Sequence, residues 1–350
     1  MKASLPALCT AALLCACAPV TQRPALDEQA VAAEARKQRE LAFRDLAADE
    51  ARLYRIAYPI LAHGAPLCEQ KVRRVLGVRL LSLENVPQEL REAAGAVLGL
   101  AAGLQVVQVA LGSPAEKAGL RERDVIVALE GVALPAGREA RARFSEILAA
   151  KAEAQSALAL TVRRGAAETT LAVTPRPACD FPVGLHLAEV INAFADGRQV
   201  MVTRGMLRFV RDDLELAVVI GHELAHNTMK HIEKQTGNAL LGTLLDLFAA
   251  SRGVNTQGAF GDMAALVYSR EFEAEADYVG LYFTARAGHD IEAAPNFWRR
   301  MAAANPGGIQ RGFASSHPST PERFLALEKV VEEIRAKRAG GKPLAPELAK

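Results

Sequence analysis

Hydrophobic and polar residues follow two different periods along this chain. Residues 25–58 are rich in Ala, Glu, Arg and Leu and contain neither Gly nor Pro, so they predict one long helix. Residues 73–175 instead carry short apolar runs between Gly-containing turns, which is typical of β-strands. From residue 180 onward, short strands precede longer apolar helical segments. The pattern therefore predicts an α+β protein in which a β-rich unit is inserted between helical parts.

The β-rich unit holds five predicted strands and a short helix. The strands are Val75–Leu81, Leu104–Val109, Asp124–Gly131, Leu158–Gly165 and Glu168–Val173. Between the second and the third lies the string GSPAEKAGL, in which Ser113-Pro114 suits a helix start and Gly119 suits its end. This string and the Asp-Val-Ile that follows it resemble bacterial PDZ domains, although Arg123 stands where those domains usually have Gly.

The resemblance implies a PDZ-like domain over residues 73–175. PDZ domains bind extended peptides and C-terminal peptide ends by strand addition, and they hold the terminal carboxylate on backbone N–H groups. We place the loop for such a carboxylate at Leu98-Gly99-Leu100. A domain that only gates or supports its neighbour is the alternative.

An apolar helix around residues 219–226 carries the motif His-Glu-x-x-His. His222 and His226 are four residues apart, so their rings project within about 40° of each other around a helix of 3.6 residues per turn. Neutral imidazole is a good zinc ligand. Glu223 lies beside the first His, where a carboxylate can take a proton from a metal-activated water. The motif predicts one zinc ion per chain with Glu223 as general base, and it requires a third protein ligand.

The residues directly after the motif do not supply that ligand. The metzincin pattern needs Gly at position 229 and His at position 232, but the chain has Met229 and Ile232. His231 is five residues past His226, about 140° around a continued helix, so we expect it to point elsewhere. A Glu on a second helix is the remaining option.

Residues 269–278, which read SREFEAEADY, supply that second helix. Glu273 and Asp277 are four residues apart and share a helix face. We therefore assign Glu273 as the ligand and Asp277 as the acceptor that orients a ligand His. Spacing alone leaves Glu271 and Glu275 open as alternatives to Glu273.

Together these segments resemble the minigluzincin metallopeptidases, which include HtpX- and BepA-like proteases, Oma-type mitochondrial proteases and CaaX-prenyl endopeptidases. The resemblance rests on HELAH at 222–226, SRxxExEAD at 269–277, Asn192–Ala195, Thr203–Gly205, and His317-Pro318 with Arg323. It implies a mostly helical zincin-type domain with a small β-sheet over residues 180–338. It also implies that Glu273 is the third zinc ligand.

The same resemblance implies roles for three further parts of the chain. An edge strand that pairs with extended substrate would be formed by Asn192, Ala193, Phe194 and Ala195. His317 would approach the zinc or stabilise the transition state, and Arg323 would help to hold the oxyanion. The family's usual His-Pro-Pro string is His317-Pro318-Ser319 here, which is a departure.

The N-terminal residues predict a secreted lipoprotein. Lys2 precedes an apolar stretch, Leu5–Ala16, that is too short to span a bilayer. The segment Leu14–Cys17 resembles a bacterial lipobox, which implies cleavage before Cys17 and lipidation of its thiol. Because no Asp follows Cys17, we expect an outer-membrane lipoprotein that faces the periplasm. An ordinary secretory signal is the alternative.

Two cysteines remain for a disulfide in the expected mature chain. Cys68 and Cys179 form an even pair in an oxidising compartment, and they flank the β-rich unit. We predict that they are bonded, with two buried thiols as the alternative. A net charge of +2 without Lys/Arg tracts gives no support to nucleic-acid binding.

The predicted function is zinc-dependent endoproteolysis of misfolded or misassembled envelope polypeptides. A chaperone-like assembly factor with PDZ-mediated client binding is the second hypothesis, and an exopeptidase ranks last because no amine- or carboxylate-gripping residues are evident. The apolar run 239–250 and the loop 251–261 predict a buried helix, or alternatively a lid. The expected divisions are signal peptide 1–16, tether and helix 17–72, PDZ-like domain 73–175, peptidase domain 180–338 and tail 339–350.

Overall fold

A computed structural model describes residues 24–151, 156–234, 270–304 and 321–347. The helices are α1 (Glu28–Gly64), α2 (Arg91–Leu98), α3 (Pro114–Lys117), α4 (Ala140–Lys151), α5 (Arg204–Phe209), α6 (Asp213–Thr228), α7 (Arg270–Arg286), α8 (Ala294–Ala304) and α9 (Pro321–Ala339). The strands are β1 (Val72–Val75), β2 (Val78–Leu81), β3 (Leu104–Val109), β4 (Val125–Leu129), β5 (Val132–Ala133), β6 (Leu158–Arg164), β7 (Ala167–Val173), β8 (Arg176–Cys179), β9 (Val183–His186), β10 (Ala193–Ala195) and β11 (Val200–Thr203). The protein is a mixed α+β structure, as the sequence predicts.

The N-terminal helix α1 connects the two parts of the protein. Asp27 caps its start, because the carboxylate accepts a hydrogen bond from the backbone N–H of Ala30 at 2.9 Å. Phe43 packs on α2 of the β-rich part, whereas Ile56 and Ile60 lie in the core of the C-terminal part. The helix continues past the predicted end at residue 58 and through Pro59. Burial of Ile60 offsets the helix hydrogen bond that proline cannot donate.

The β-rich part is a six-stranded sheet with the order β2-β3-β4-β6-β7, in which β5 pairs with β4. Every pairing is antiparallel, and α4 covers one face through Phe144 and Ile147. The single strand predicted at residues 75–81 is wrong, because Gly77 divides it into β1 and β2. Gly77 has a φ of +82°, and a Cβ there would lie 2.3 Å from the Cβ of Ser113. Only glycine fits this kink.

A groove of about 610 Å³ runs between β2, α4 and α1. Val78 and Leu80 line it from the strand, Phe144 and Leu148 from α4, and Tyr54 from α1. β2 is an outer strand of its sheet, the position at which strand addition occurs. Residues 98–100, predicted as the carboxylate loop, do not line this groove: Gly99 ends α2, and Leu100 is buried against α1 and α2.

The two segments that connect the β-rich part to the C-terminal part are linked to each other by a strand pairing and a disulfide. β1 pairs with β8 in an antiparallel ladder that places Val72 opposite Cys179. Cys179 is bonded to Cys68, with the Cα atoms 5.6 Å apart, and both side chains are buried. The structure therefore contains the disulfide that the sequence predicts.

Replacing both cysteines by alanine is expected to lower the free energy of unfolding by about 2–4 kcal/mol, because the bond restricts a long loop in the unfolded chain. The loop joins residues 111 positions apart. Urea denaturation measures the difference. Reductant should bring the wild-type protein to the stability of the variant and leave the variant unchanged, whereas equal stability of the oxidised wild type and the variant would contradict the prediction.

The C-terminal part packs helices around α6 and against a three-stranded sheet with the order β10-β11-β9. β10 and β11 are antiparallel and are joined by the turn predicted at Asp196-Gly197, whereas β9 lies parallel to β11. Among the residues that the structure describes, no helix is long and apolar enough to cross a membrane. Cys17, His317 and the segment 239–261 lie outside the described residues.

Candidate metal centre

Helix α6 carries the His-Glu-x-x-His motif into the core. Asp212 caps its start by accepting a hydrogen bond from the backbone N–H of Glu215 at 2.9 Å. From Leu216 to Thr228 every residue is buried. The Nε2 atoms of His222 and His226 lie 3.1 Å apart, so both rings face one point as the spacing predicts.

Helix α7 brings Glu273 to the same point. Its Oε1 lies 3.4 Å from His226 Nε2, and its Oε2 lies 3.6 Å from His222 Nε2. The three donor atoms lie within 4.8 Å of one another, and all three side chains are buried. Two imidazole nitrogens and one carboxylate oxygen form the donor set of many catalytic zinc sites, which leave a fourth position for water. The residues therefore fit a zinc ion.

The close approach of α6 and α7 depends on two glycines. A Cβ on Gly221 would lie 2.5 Å from the carbonyl oxygen of Gly280, and a Cβ on Gly280 would lie 2.8 Å from the backbone nitrogen of His222. The helices thus touch through their backbones directly beside the first His. This contact allows Glu273, two turns earlier on α7, to reach both rings.

Gly280→Ala is expected to destabilise the protein by about 1–3 kcal/mol, because the added methyl group pushes packed backbones apart. It should also weaken metal binding, since Glu273 moves with α7. Gly95→Ala is the matched control, because a Cβ there would meet nothing nearer than 3.7 Å. Thermal unfolding and metal titration measure both effects. A Gly280→Ala protein as stable as the control would contradict the packing argument.

Behind the three donors, Asp277 and Arg323 form a buried ion pair. Asp277 Oδ1 lies 3.0 Å from His222 Nδ1, as predicted for the acceptor that orients a ligand His. Arg323 donates to the two oxygens of Asp277 at 2.8 and 2.9 Å, and it lies 2.9 Å from Glu273 Oε2. Burial opposes ionisation of Asp277, but Arg323 and His222 outweigh it and hold the pKa of this carboxyl below its usual value.

For the imidazole of His222, in contrast to Asp277, burial is the dominant influence on the pKa. It lowers the pKa of His222, against the pull of Asp277 and Glu273, so the ring stays neutral and keeps a lone pair for a metal. Trp298 on α8 packs against the ring with centroids 4.8 Å apart. This aromatic contact has no sequence signal, because α8 lies outside every motif.

The sequence predicts that His231 points away from the site. The structure instead places it against the ring of His226. The prediction extended α6 beyond its end, but the helix stops at Thr228 and Lys230 has a φ of +56°. The chain therefore turns back, and His231 Nδ1 lies 3.0 Å from His226 Nδ1. Glu275, which the sequence left open as a ligand, instead contacts His231 Nε2 at 2.7 Å.

Comparison with known proteins adds the family. Residues 139–331, more than half of the chain, match the model of Peptidase family M48, and residues 75–174 match a PDZ domain model. The chain belongs to peptidase family M48. The two matches share residues 139–174, a range that contains α4, β6 and β7.

Curated relatives of this M48 peptidase are named metalloendopeptidase OMA1 and beta-barrel assembly-enhancing protease. The chain is 36% identical over 152 residues to the mitochondrial metalloendopeptidase OMA1 of Arabidopsis thaliana, which covers 41% of the chain and 30% of that protein. It is 35% identical over 127 residues to a putative beta-barrel assembly-enhancing protease of Vibrio cholerae, covering 32% of the chain and 26% of that protein. The match thus spans less than a third of either relative.

A solved structure of a PDZ domain is also similar to a part of the M48 peptidase. The HtrA3 PDZ domain bound to a phage-derived ligand is 24% identical, covers 30% of this chain and 88% of that chain, and has a TM-score of 0.23.

The predicted edge strand of the M48 peptidase lies beside α6. Ala193–Ala195 form β10, an outer strand of the sheet, and Asn192 extends the pairing through its carbonyl to Thr203 N–H at 3.1 Å. Asn227, next to the ligand His226, accepts from the N–H of Gly197 at 2.8 Å and donates to the carbonyl of Gln199 at 2.9 Å. This side chain, which the sequence does not single out, fixes the hairpin to the metal-site helix.

Two predicted site residues keep their roles as predictions. His317 lies outside the described residues. Arg323 lies at the site but contacts Glu273 and Asp277, so its predicted role at the oxyanion is not tested by these contacts.

Proposed function

We propose that this M48 peptidase is a zinc-dependent endopeptidase in which His222, His226 and Glu273 hold the metal and Glu223 is the general base. The observation that carries the proposal is the buried cluster of two imidazoles and one carboxylate, with Glu223 adjacent in sequence to the first ligand. Membership of the family and metalloendopeptidase relatives support it.

The chain's own residues would divide the reaction as follows. A zinc ion held by His222, His226 and Glu273 would act as a Lewis acid toward the attacking water and the scissile carbonyl. Glu223, which is 3% exposed, takes the proton of the water and passes it to the leaving amine. Asp277 holds the ring of His222, and Arg323 compensates the negative charge of Asp277 and Glu273. His317 and Arg323 are proposed to stabilise the oxyanion.

The proposed substrates are extended segments of envelope proteins with apolar side chains. The outer strand β10 can pair with an extended backbone. Four large apolar side chains in and before it are exposed: Leu187, Val190, Ile191 and Phe194. Extended substrate segments with apolar side chains are accessible in misfolded proteins and buried in folded ones. Relatives named beta-barrel assembly-enhancing protease support an envelope location.

Cleavage of an unfolded, apolar-rich model protein by the purified chain tests the proposal. We expect internal cleavage sites, loss of activity with a zinc chelator and recovery with zinc. Activity that survives complete metal removal would overturn the zinc assignment, and stepwise release of terminal residues would overturn the endopeptidase assignment.

We propose that Cys17 is lipidated and anchors the protein in the outer membrane, facing the periplasm. The proposal rests on the lipobox-like residues 14–17. In a Gram-negative host, the wild-type protein is expected to incorporate labelled fatty acid, and Cys17→Ala is expected to lose that incorporation. Unchanged labelling would contradict it.

Client binding without frequent cleavage is a second candidate function. The groove of about 610 Å³ between β2 and α4 favours it, because an outer strand beside an apolar helix face can take up a client peptide. Comparing Glu223→Gln with a gene deletion discriminates the two. Equal phenotypes favour proteolysis, and rescue by the inactive variant favours binding.

A further inference from the structure

The two imidazoles of the metal centre have different partners behind them. His222 is backed by the carboxylate of Asp277. His226 is backed by a second imidazole, with its Nδ1 3.0 Å from Nδ1 of His231. His231 is fully buried, and its ring stacks on Phe272 with centroids 4.5 Å apart. His231 thus has a fixed position against the outer nitrogen of a ligand.

If a metal is bound by the three donors, the contacts require one particular nitrogen of each ring to carry the proton. His226 Nε2 faces His222 Nε2 and Glu273 Oε1, so it must offer a lone pair to a metal there. In a neutral ring the proton is then on Nδ1, which donates. His231 Nδ1 must accept this hydrogen bond, and its own proton is consequently on Nε2. That nitrogen lies 2.7 Å from Glu275 Oε2, a carboxylate oxygen that accepts.

The opposite arrangement would prevent metal binding. If His231 Nδ1 donated to His226 Nδ1, the proton of His226 would occupy Nε2, the atom that faces Glu273. The hydrogen-bond chain from Glu275 through His231 therefore selects the tautomer of His226 that can act as a ligand. Metal-binding histidines commonly need such an outer partner, and removing it typically costs 10–100-fold in affinity.

We infer that His231, held by Glu275, is a positioning residue that fixes the tautomer and the orientation of the zinc ligand His226. The inference rests on the proposed zinc site. It extends that site by a residue that is not one of the three donors and that follows the turn at Met229-Lys230, where the chain reverses after α6.

Two substitutions at residue 231 separate the hydrogen bond from packing. Phenylalanine keeps an aromatic ring for the stack on Phe272 but has no acceptor. Asparagine is smaller, but its Oδ1 occupies roughly the place of the imidazole Nδ1 and can accept from His226. Competition with a chromophoric chelator measures the zinc affinity of the full chain. We expect His231→Phe to bind zinc about 10–100-fold more weakly than wild type, and His231→Asn to recover most of that loss.

The outcomes distinguish this inference from the zinc site itself. A wild-type chain that binds no zinc would overturn the proposed function and the inference with it. Tight wild-type binding together with an unchanged His231→Phe affinity would overturn the inference alone. Equal losses in the Phe and Asn variants would also overturn it, because packing rather than the acceptor would then account for the effect.

Two further measurements do not require the residue-231 variants to fold. Nitrogen-15 shifts of the zinc-loaded wild-type protein should show His231 protonated on Nε2 and not on Nδ1, and the reverse tautomer would overturn the inference. Glu275→Leu removes the outer acceptor and should weaken zinc binding less than His231→Phe does. Glu275→Gln, which keeps an acceptor oxygen, should bind zinc about as tightly as wild type. Equal zinc affinities of the Leu and Gln variants would contradict the proposed role of Glu275 in the hydrogen-bond chain.

Discussion

Replacing Glu223 by glutamine is expected to reduce the turnover of peptide cleavage by about 10²–10⁴-fold, because the amide cannot take a proton from the attacking water. Zinc affinity should stay near that of the wild type, since the three donor atoms belong to His222, His226 and Glu273. The glutamine side chain has nearly the same shape, so the buried position should tolerate it. Initial rates on an unfolded substrate, with zinc content measured on the same sample, provide the test.

Glu233→Gln is the matched control for this experiment. Glu233 is exposed and lies shortly after the end of α6. Its substitution removes the same charge, so the peptidase activity of the Glu233→Gln protein should be unchanged. Full activity in the Glu223→Gln protein would show that another group is the base. Loss of zinc in that protein would show that Glu223 acts through the metal site rather than through proton transfer.

Arg323→Met is expected to cost about 3–5 kcal/mol of unfolding free energy in the metal-free protein, because it leaves buried carboxylates without their cation. Arg323 and Asp277 are each 5% exposed, and Glu273 is fully buried. Zinc should recover part of the loss by taking over the charge of Glu273. Urea denaturation with and without zinc measures both quantities.

Arg335→Met on the same helix α9 is the control. Arg335 is 68% exposed and lies 3.4 Å from Glu292, so its removal should change stability by less than about 1 kcal/mol. A double variant that also replaces Asp277 by leucine should be less destabilised than the sum of the single variants, because fewer buried charges remain unmatched. Equal effects of Arg323→Met and Arg335→Met would contradict the buried ion-pair account.

The parts of the site that the sequence predicted share a physical origin. His222 and His226, and likewise Glu273 and Asp277, are pairs at helical spacing on helices that are long and well formed. Inside such a helix, the period fixes which side chains face the same way. The meeting of the two helices, however, was supplied by the family resemblance, because the Gly221–Gly280 contact is not visible in either helix alone.

The features that the sequence predicted wrongly lie where a regular helix or strand is interrupted. His231 was placed by continuing α6 past Thr228, and the left-handed Lys230 reverses the chain at that point. Residues 75–81 were predicted as one strand because their apolar pattern is continuous, yet the packing of Ser113 and Tyr58 against Gly77 divides them. Both errors arise from tertiary contacts that override a local pattern.

The most direct test of the metal site is crystallography of the zinc-loaded protein at the zinc absorption edge. We predict one anomalous peak per chain, about 2.0–2.2 Å from Nε2 of His222, Nε2 of His226 and a carboxylate oxygen of Glu273. A peak coordinated by other residues, or an active protein without a peak at this position, would contradict the assignment of the zinc site.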